Sequence, residues 1–148
     1  LSIQDLYIQP SLINSPYIAI DFRNVTQAYI KNVVIPCSTT NYQTGLLLAY
    51  TSQYALVENL YACTTVDAVE LYSGANQNTF IGGKLSSPIG FNIINSNGTS
   101  AFGTSLEQGP AMTFVNRVGQ TLGTTMQGVR TETSSYGPVF LNGKDGNW

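Results

Sequence analysis

The acidic side chains are the residues of this sequence best suited to chemistry, because the chain has no histidine and only six lysine or arginine residues. Two carboxylates can hydrolyse a glycosidic bond when they lie about 5–5.5 Å apart (retention) or about 6.5–9.5 Å apart (inversion). One step between stacked strands, about 4.8 Å, is close to the first distance, and two steps are close to the second. A stacked pair of acids would therefore have the geometry for glycoside hydrolysis. The acids are Asp5, Asp21, Glu58, Asp67, Glu70, Glu107, Glu132 and Asp145.

Glu70 and Asp67 are the candidate catalytic acids, because they flank the start of one predicted strand. In the register that the sequence pattern favours, Leu47 and Asn92 lie on either side of Glu70, so no second acid of this chain stacks on it. An acid from a second chain could complete such a site. The alternative is a solvated glutamate on a strand and an aspartate at a turn.

Glu70, Tyr72 and Asn92 form the candidate substrate-binding group. Sugar rings stack on aromatic faces, and their hydroxyl groups form hydrogen bonds with carboxylate and amide groups. The same pattern places these three side chains together on the outer face of a sheet. The alternative is that each is ordinary strand surface.

Composition excludes several other functions. Only 9% of the residues are charged, and the net charge is −2, so the basic face that nucleic-acid binding needs is missing. Without histidine there is no histidine-based catalytic triad and no zinc site with histidine ligands, and two cysteines cannot form a four-cysteine site. We therefore expect no metal and no cofactor. No apolar run approaches the roughly 20 residues of a membrane-spanning helix, so we expect no membrane insertion.

A short apolar strand motif recurs along the chain, every 21 to 28 residues. It predicts strands rather than helices, in keeping with the nine tyrosines and 14 glycines. The copies are Tyr17-Ile18-Ala19-Ile20, Gly45-Leu46-Leu47-Leu48, Ala68-Val69-Glu70-Leu71, Gly90-Phe91-Asn92-Ile93, Ala111-Met112-Thr113-Phe114 and Pro138-Val139-Phe140-Leu141.

A second motif interleaves with the first and predicts a sharp corner. Its third position holds residue types that mostly tolerate a left-handed backbone, between two apolar positions that point inward. Stacked asparagines at such a corner could also form hydrogen bonds along the stack. The corner residues are Asp5, Asn32, Asn59, Gly83, Ser105 and Gly128.

Together the two motifs predict a coil in which each repeat is one rung and stacked rungs bury a shared core. The aligned copies place Ile18 beside Leu46, Ile20 beside Leu48 and Phe91 beside Met112. Five to six coils fit into a single domain of residues 1–148, and the uncapped ends favour a fragment of a longer helix. Large apolar residues would face outward, either in an interface or under loops; these are Leu47, Tyr72, Ile94, Val115 and Phe140.

This pattern resembles the right-handed, single-stranded parallel β-helix of pectate-lyase-like proteins. In its low charge and its richness in Asn, Ser, Thr, Gly and Tyr, the chain is most similar to bacteriophage tailspike and tail-fibre receptor-binding proteins. The resemblance implies a homotrimer in the virion tail that recognises, and in many members degrades, bacterial surface polysaccharide. One alternative is a fragment of a secreted polysaccharide lyase or glycoside hydrolase. A second is a structural stalk or adhesin without a local site.

Three side-chain pairings are expected between neighbouring rungs. Cys37 and Cys63 are 26 residues apart, close to one repeat of 27, so they would lie almost over one another, either as a disulfide or as two thiols. Exposed ion pairs are expected for Glu58 with Lys31, and for Glu107 with Arg130.

Overall fold

Strands and corners alternate along the described parts of the chain because apolar pairs of residues are separated by residues that tolerate a left-handed backbone. The computed structural model describes residues 1–9, 17–37, 42–107, 114–116 and 123–132, which form strands and no helix. In chain order the strands of these residues are β1 (Ser2–Gln4), β2 (Ile18–Arg23), β3 (Tyr29–Lys31), β4 (Val34–Ile35), β5 (Thr44–Ala49), β6 (Leu56–Glu58), β7 (Tyr61–Cys63), β8 (Asp67–Tyr72), β9 (Thr79–Ile81), β10 (Lys84–Ser86), β11 (Ile89–Ile94), β12 (Ser100–Phe102), β13 (Ser105–Glu107), β14 (Phe114–Asn116), β15 (Thr125–Gln127) and β16 (Arg130–Glu132).

The strands stack into three parallel sheets. Sheet A has the order β1-β3-β6-β9-β12-β15, sheet B the order β4-β7-β10-β13-β16, and sheet C the order β2-β5-β8-β11-β14. The chain passes from A to B to C and back to A, and four successive coils carry a strand in every sheet. The architecture is thus a parallel β-solenoid of about four turns, consistent with a pectate-lyase-like β-helix. The expected five to six coils are not confirmed.

Ladders of apolar side chains fill the interior. Sheet C contributes two of them, and their members are Ile20, Leu46, Val69 and Phe91 in one and Phe22, Leu48, Leu71 and Ile93 in the other. The expected ladder of Leu46, Val69 and Phe91 is therefore confirmed, as is that of Leu48, Leu71 and Ile93. Each coil buries its apolar face only against its neighbours, which is how a solenoid is stabilised.

The expected register is wrong at both ends of sheet C by two residues. Ile20, rather than Ile18, pairs with Leu46, and Phe114, rather than Met112, pairs with Phe91. A shift of two residues keeps every side chain on the same face of the sheet, so the alternating pattern cannot detect it. Val139 and Leu141, placed in the same ladders, lie outside the described residues.

A left-handed residue follows each sheet A strand, at what we call the A–B corner. Its members are Asp5, Asn32, Asn59, Gly82, Gly103 and Gly128, all with φ between 51° and 64°. The prediction is thus confirmed at four of these positions. Gly83 also has a positive φ but follows the corner residue Gly82, and Ser105 is wrong, because it lies in β13 and Gly103 takes its place.

The predicted stack of polar side chains forms along the first three coils. Asn59 Nδ2 donates to Asn32 Oδ1 over 3.2 Å, and Asn32 Nδ2 donates to Asp5 Oδ1 over 2.9 Å. We call this stack the amide ladder. It ends at Gly82, which has no side chain to continue it.

Cys37 and Cys63 lie one above the other, as their spacing indicates, and form a disulfide with a Cα–Cα distance of 4.9 Å. The bond joins the end of one sheet B strand region to β7 in the next coil. Of the two states that the sequence left open, the structure thus has the bonded one.

One of the two expected ion pairs is present. Lys31 Nζ lies 3.7 Å from Glu58 Oε2 in the next coil. Glu107 instead pairs with Lys84, and Arg130 pairs with Glu132, because β13 and β16 are in a register that puts Arg130 beside Ser105. Such exposed pairs are each worth at most about 1 kcal/mol. No helix long and apolar enough to cross a membrane occurs in the described parts of the chain.

Candidate functional site

The outer face of sheet C carries the candidate site, because its register aligns two rows of outward side chains. The first row runs Asp21, Leu47, Glu70 and Asn92, and the second runs Arg23, Ala49, Tyr72 and Ile94. Successive members of a row are separated by one strand spacing, about 4.8 Å. Glu70 and Tyr72 alternate with inward residues on β8, so both side chains lie on the same outer face.

A shallow groove of about 260 Å³ crosses these rows where β2, β5 and β8 lie side by side. The residues that line it are Ile18, Arg23, Leu47, Ala49, Tyr50, Glu70 and Tyr72. Its volume is below the roughly 300–1,000 Å³ of a pocket that encloses a drug-sized ligand. The groove therefore suits a single ring-sized group of a longer ligand.

Leu47 and Ala49 are the buried apolar members of the groove, at 6% and 2% exposure. The sequence left open whether outward residues such as Leu47 belong to an interface or lie under other parts of the chain. Leu47 is covered within the chain, whereas Tyr72 is 41% exposed. Val115 and Phe140, the last two of that outward set, fall where no side chain is described.

Two tyrosines form an aromatic wall at one end of the groove. The rings of Tyr50 and Tyr72 meet edge to face, with centroids 6.2 Å apart and planes at 83°. Such a pair is worth about 0.5–1.5 kcal/mol beyond the area it buries. Tyr50 remains 44% exposed, so its ring is available to a ligand.

Tyr50 has a left-handed backbone, with φ of 58°. A left-handed conformation costs a residue with a Cβ atom roughly 1–2 kcal/mol. The corresponding corner positions of the neighbouring coils hold Asn24, Ser73 and Asn95, which are smaller and polar. A bulky residue held in this conformation is the kind of local strain that accumulates at functional sites.

Opposite charges lie together at the groove, where Arg23 and Glu70 line it and Asp21 lies beside it in the outer row. Arg23 Nε donates to Asp21 Oδ1 over 2.9 Å. This hydrogen bond and the charge of Asp21 raise the pKa of Arg23, and the charge of Glu70 acts in the same direction. The groove thus presents the guanidinium of Arg23 and the carboxylate of Glu70 beside an aromatic surface.

Two other predicted site residues lie beside the groove but do not line it. Asn92 neighbours Glu70 in the outer row, yet it is only 5% exposed, and its Nδ2 donates to Asp67 Oδ2 over 3.2 Å. Asp67 is equally buried. The structure therefore brings Glu70 and Tyr72 together in the groove, while Asn92 and Asp67 pair with each other next to it.

Three residues of the site escaped the sequence analysis: Asp21, Arg23 and Tyr50. The two-residue error in the register of β2 placed Ala19 beside Leu47, where the structure has Asp21, and so hid Arg23 as well. Tyr50 could have been found from its position, since it directly follows a strand whose neighbours are followed by Asn24 and Ser73.

No metal site is evident, since no three of the described Cys, Asp and Glu side chains come close enough to share an ion. Comparisons with protein-family models, with curated proteins and with solved structures find no match to this chain.

Proposed function

We propose that this β-helix binds a polysaccharide, and that the groove around Glu70 and Tyr72 holds one sugar ring of it. The observation that carries the proposal is the composition of the groove, in which exposed tyrosines stand beside Glu70 and Arg23 over a buried apolar floor. A sugar ring has an apolar C–H face for an aromatic ring and hydroxyl groups for the carboxylate and the guanidinium.

The polymer we propose is a bacterial surface polysaccharide, recognised by a homotrimer of the tailspike type. The low charge of the chain, its Asn- and Tyr-rich composition and its parallel coil support this choice. The disulfide supports a location outside the cytosol, on a virion tail or as a secreted protein, because disulfides persist in oxidising surroundings. Size-exclusion chromatography with light scattering tests the proposed trimer. A homotrimer predicts a mass near three chains, and a mass near one chain would contradict this part of the proposal.

The test of binding is a panel of purified bacterial O-antigen and capsular polysaccharides, measured by calorimetry. The double variant Glu70→Ala, Tyr72→Ala should lose at least a hundredfold in affinity, because it removes an aromatic anchor and a charged hydrogen-bonding partner together. Its melting temperature should stay within a few degrees of the wild type, since neither side chain belongs to the core.

Tyr7→Ala is the matched control. Tyr7 is 61% exposed and lies on the sheet B side, away from the groove, so its loss should leave the affinity unchanged. If the wild type binds a polysaccharide and the double variant binds it equally well, the groove is not the site. If the wild type binds nothing in the panel, the chain is better described as a structural stalk or as an adhesin for another partner.

A second candidate function is hydrolysis of the bound polysaccharide, favoured by the register of Asp21 and Glu70. These acids lie two strands apart in the same outer row, with Leu47 between them, so their backbones are about 9.6 Å apart. The carboxyl groups of inverting glycosidases lie about 6.5–9.5 Å apart, and a backbone spacing of this size allows that separation. The proposal uses Asp21 in place of Asp67, which is buried against Asn92.

In such a reaction Glu70 would donate its proton to the glycosidic oxygen as the bond to the anomeric carbon breaks. Asp21, held beside Arg23, would accept a proton from the water that attacks the opposite face of the sugar. Glu70→Gln and Asp21→Asn should each abolish the release of new reducing ends but leave binding largely intact. Asp5→Asn, which changes an exposed acid of the amide ladder, is the control. Binding without release of reducing ends would identify a pure recognition module.

A further inference from the structure

A second tyrosine lies on the same corner of the coil as Tyr50. The segment that connects β5 to β6 begins with Tyr50 and contains Tyr54, which is 55% exposed and has a φ of 59°. Tyr54 does not line the groove. Two exposed tyrosines with left-handed backbones therefore stand four residues apart, one inside the groove and one beyond it.

The corresponding corners of the neighbouring coils carry different residue types. Backbone hydrogen bonds from Gln27 N to Gln53 O, from Tyr54 N to Asn76 O and from Gln77 N to Asn97 O show that residues 27, 54 and 77 occupy the same place in successive coils. Gln27 and Gln77 have nearly the same φ as Tyr54, at 56° each. The backbone at this position is thus the same in three coils, and only one of them carries an aromatic ring.

Buried polar side chains hold the corner that carries the tyrosines in place. Ser52 Oγ donates to Phe22 O over 2.9 Å, and Asn78 Nδ2 donates to Ser52 O over 3.2 Å. Ser52 and Asn78 are fully buried, and Asn78 Oδ1 also accepts from Ala55 N over 2.8 Å. These bonds tie the corner to the coils on both sides, so both tyrosines are held on a rigid base.

We infer that Tyr54 is a second stacking platform for the polysaccharide, so that the ligand is a chain of several sugars that passes from the groove around this corner. The inference rests on the proposed function of the groove. The small volume of the groove supports it, because a ring-sized site leaves the rest of a polymer outside. A protein partner suits the corner less well, since the residues that flank Tyr54 in the neighbouring coils are the polar Gln27 and Gln77.

The test compares Tyr54→Gln with the wild type on long and short fragments of the polysaccharide that the wild type binds. Glutamine is the residue of both neighbouring coils, so the variant should fold with an unchanged or raised melting temperature. Affinity for fragments of several repeat units should fall about tenfold, as expected for the loss of an aromatic anchor, whereas affinity for a fragment that fills only the groove should not change. Tyr50→Asn, made in parallel, should weaken binding of both fragments.

Equal affinity of Tyr54→Gln and the wild type for every fragment length would overturn the inference while leaving the groove in place. If Glu70→Ala, Tyr72→Ala also binds like the wild type, the proposed function itself is wrong. Light scattering on the same two proteins distinguishes a protein interface: a smaller mass for Tyr54→Gln than for the wild type would assign the corner to contacts between copies of this chain and would overturn the inference.

Discussion

The two corners that bracket sheet A use the same backbone conformation but differ in what they carry. At the A–B corner the left-handed positions hold aspartate, asparagine or glycine in every described coil, and the first three stack as the amide ladder. At the corner between sheets C and A the corresponding positions hold Asn24, Ser73 and Asn95, but the coil between the first two holds Tyr50. At the A–B corner each residue is of a type that tolerates a left-handed backbone, whereas Tyr50 and Tyr54 are bulky residues for which this conformation is costly.

The difference indicates which departures from the repeat deserve a functional explanation. A residue that satisfies its local backbone needs none, because the fold alone explains it. A bulky exposed residue that costs conformational energy is retained only where the surrounding structure holds it and something else favours it. The corner beside the groove is therefore the one that calls for a functional explanation. Substitutions at both corners test this contrast.

The largest effect on stability is expected at Gly83, which directly follows Gly82, the A–B corner residue after β9. A Cβ atom there would lie 2.4 Å from Leu60 O and 2.8 Å from Leu60 N, with φ at 83°. Since both contacts are backbone atoms, Gly83→Ala should lower the free energy of unfolding by about 3 kcal/mol or more. Urea denaturation measures this directly.

Gly103→Ala is the control for that prediction. Gly103 also has a positive φ, of 62°, but a Cβ atom there would meet nothing within 4 Å. Only the conformational cost remains, so the loss should be about 1 kcal/mol. Similar losses at the two glycines would show that contact with Leu60 is not what requires glycine at position 83.

An intermediate effect is expected for the amide ladder. Asn32→Ala removes a donor to Asp5 and an acceptor for Asn59, and it places alanine in a left-handed conformation. We expect a loss of about 2 kcal/mol in the free energy of unfolding.

Asn32→Gly separates the two contributions, because glycine accepts the left-handed backbone but cannot form the ladder. Its loss should be about half that of the alanine variant. If the glycine variant is as stable as the wild type, the ladder contributes nothing and the asparagine is there for its backbone alone. Thermal denaturation of both variants decides between these outcomes.

The smallest effect on stability, and the opposite sign, is expected at the other corner. Tyr50→Asn gives this coil the residue type that Asn24 provides in the preceding one, so the conformational cost falls while the edge-to-face contact with Tyr72 is lost. The two contributions are of similar size, so the free energy of unfolding should stay the same or rise by up to about 1 kcal/mol. A clear loss of stability would show that Tyr50 is there for packing, and the contrast between the corners would disappear.

The sequence predicts the coil and much of the A–B corner, because both depend on local chemistry. Alternation of apolar residues defines the strands, and the tolerance of Asp5, Asn32 and Asn59 for a left-handed backbone defines the turns between them. The corner after β9 was harder to predict, because Ile81 is apolar but faces outward at 42% exposure, and this moved the predicted corner from Gly82 to Gly83.

The site was only partly predictable, because it depends on how coils align with one another. Glu70 and Tyr72 could be placed together, since they lie two residues apart on one strand. The partners from β2 could not, because a register shift of two residues leaves the pattern of inward and outward positions unchanged. Asp21 and Arg23 were missed for that reason, whereas Tyr50 was missed although its position directly after β5 could have been read from the sequence.

The disulfide has a mechanical consequence for the solenoid. Cys37 and Cys63 are separated by 26 residues, so the bond closes one coil into a covalent ring. A solenoid that is pulled apart lengthens by the contour of each coil that it releases. The residues inside this ring cannot extend while the disulfide is intact. At about 3.3–3.6 Å for each extended residue, they account for about 90 Å of chain length. Pulling the chain from its two ends should therefore yield about 90 Å less extension in the oxidised protein than in the reduced one. The difference arises because the disulfide keeps the segment that contains β5 and β6 closed.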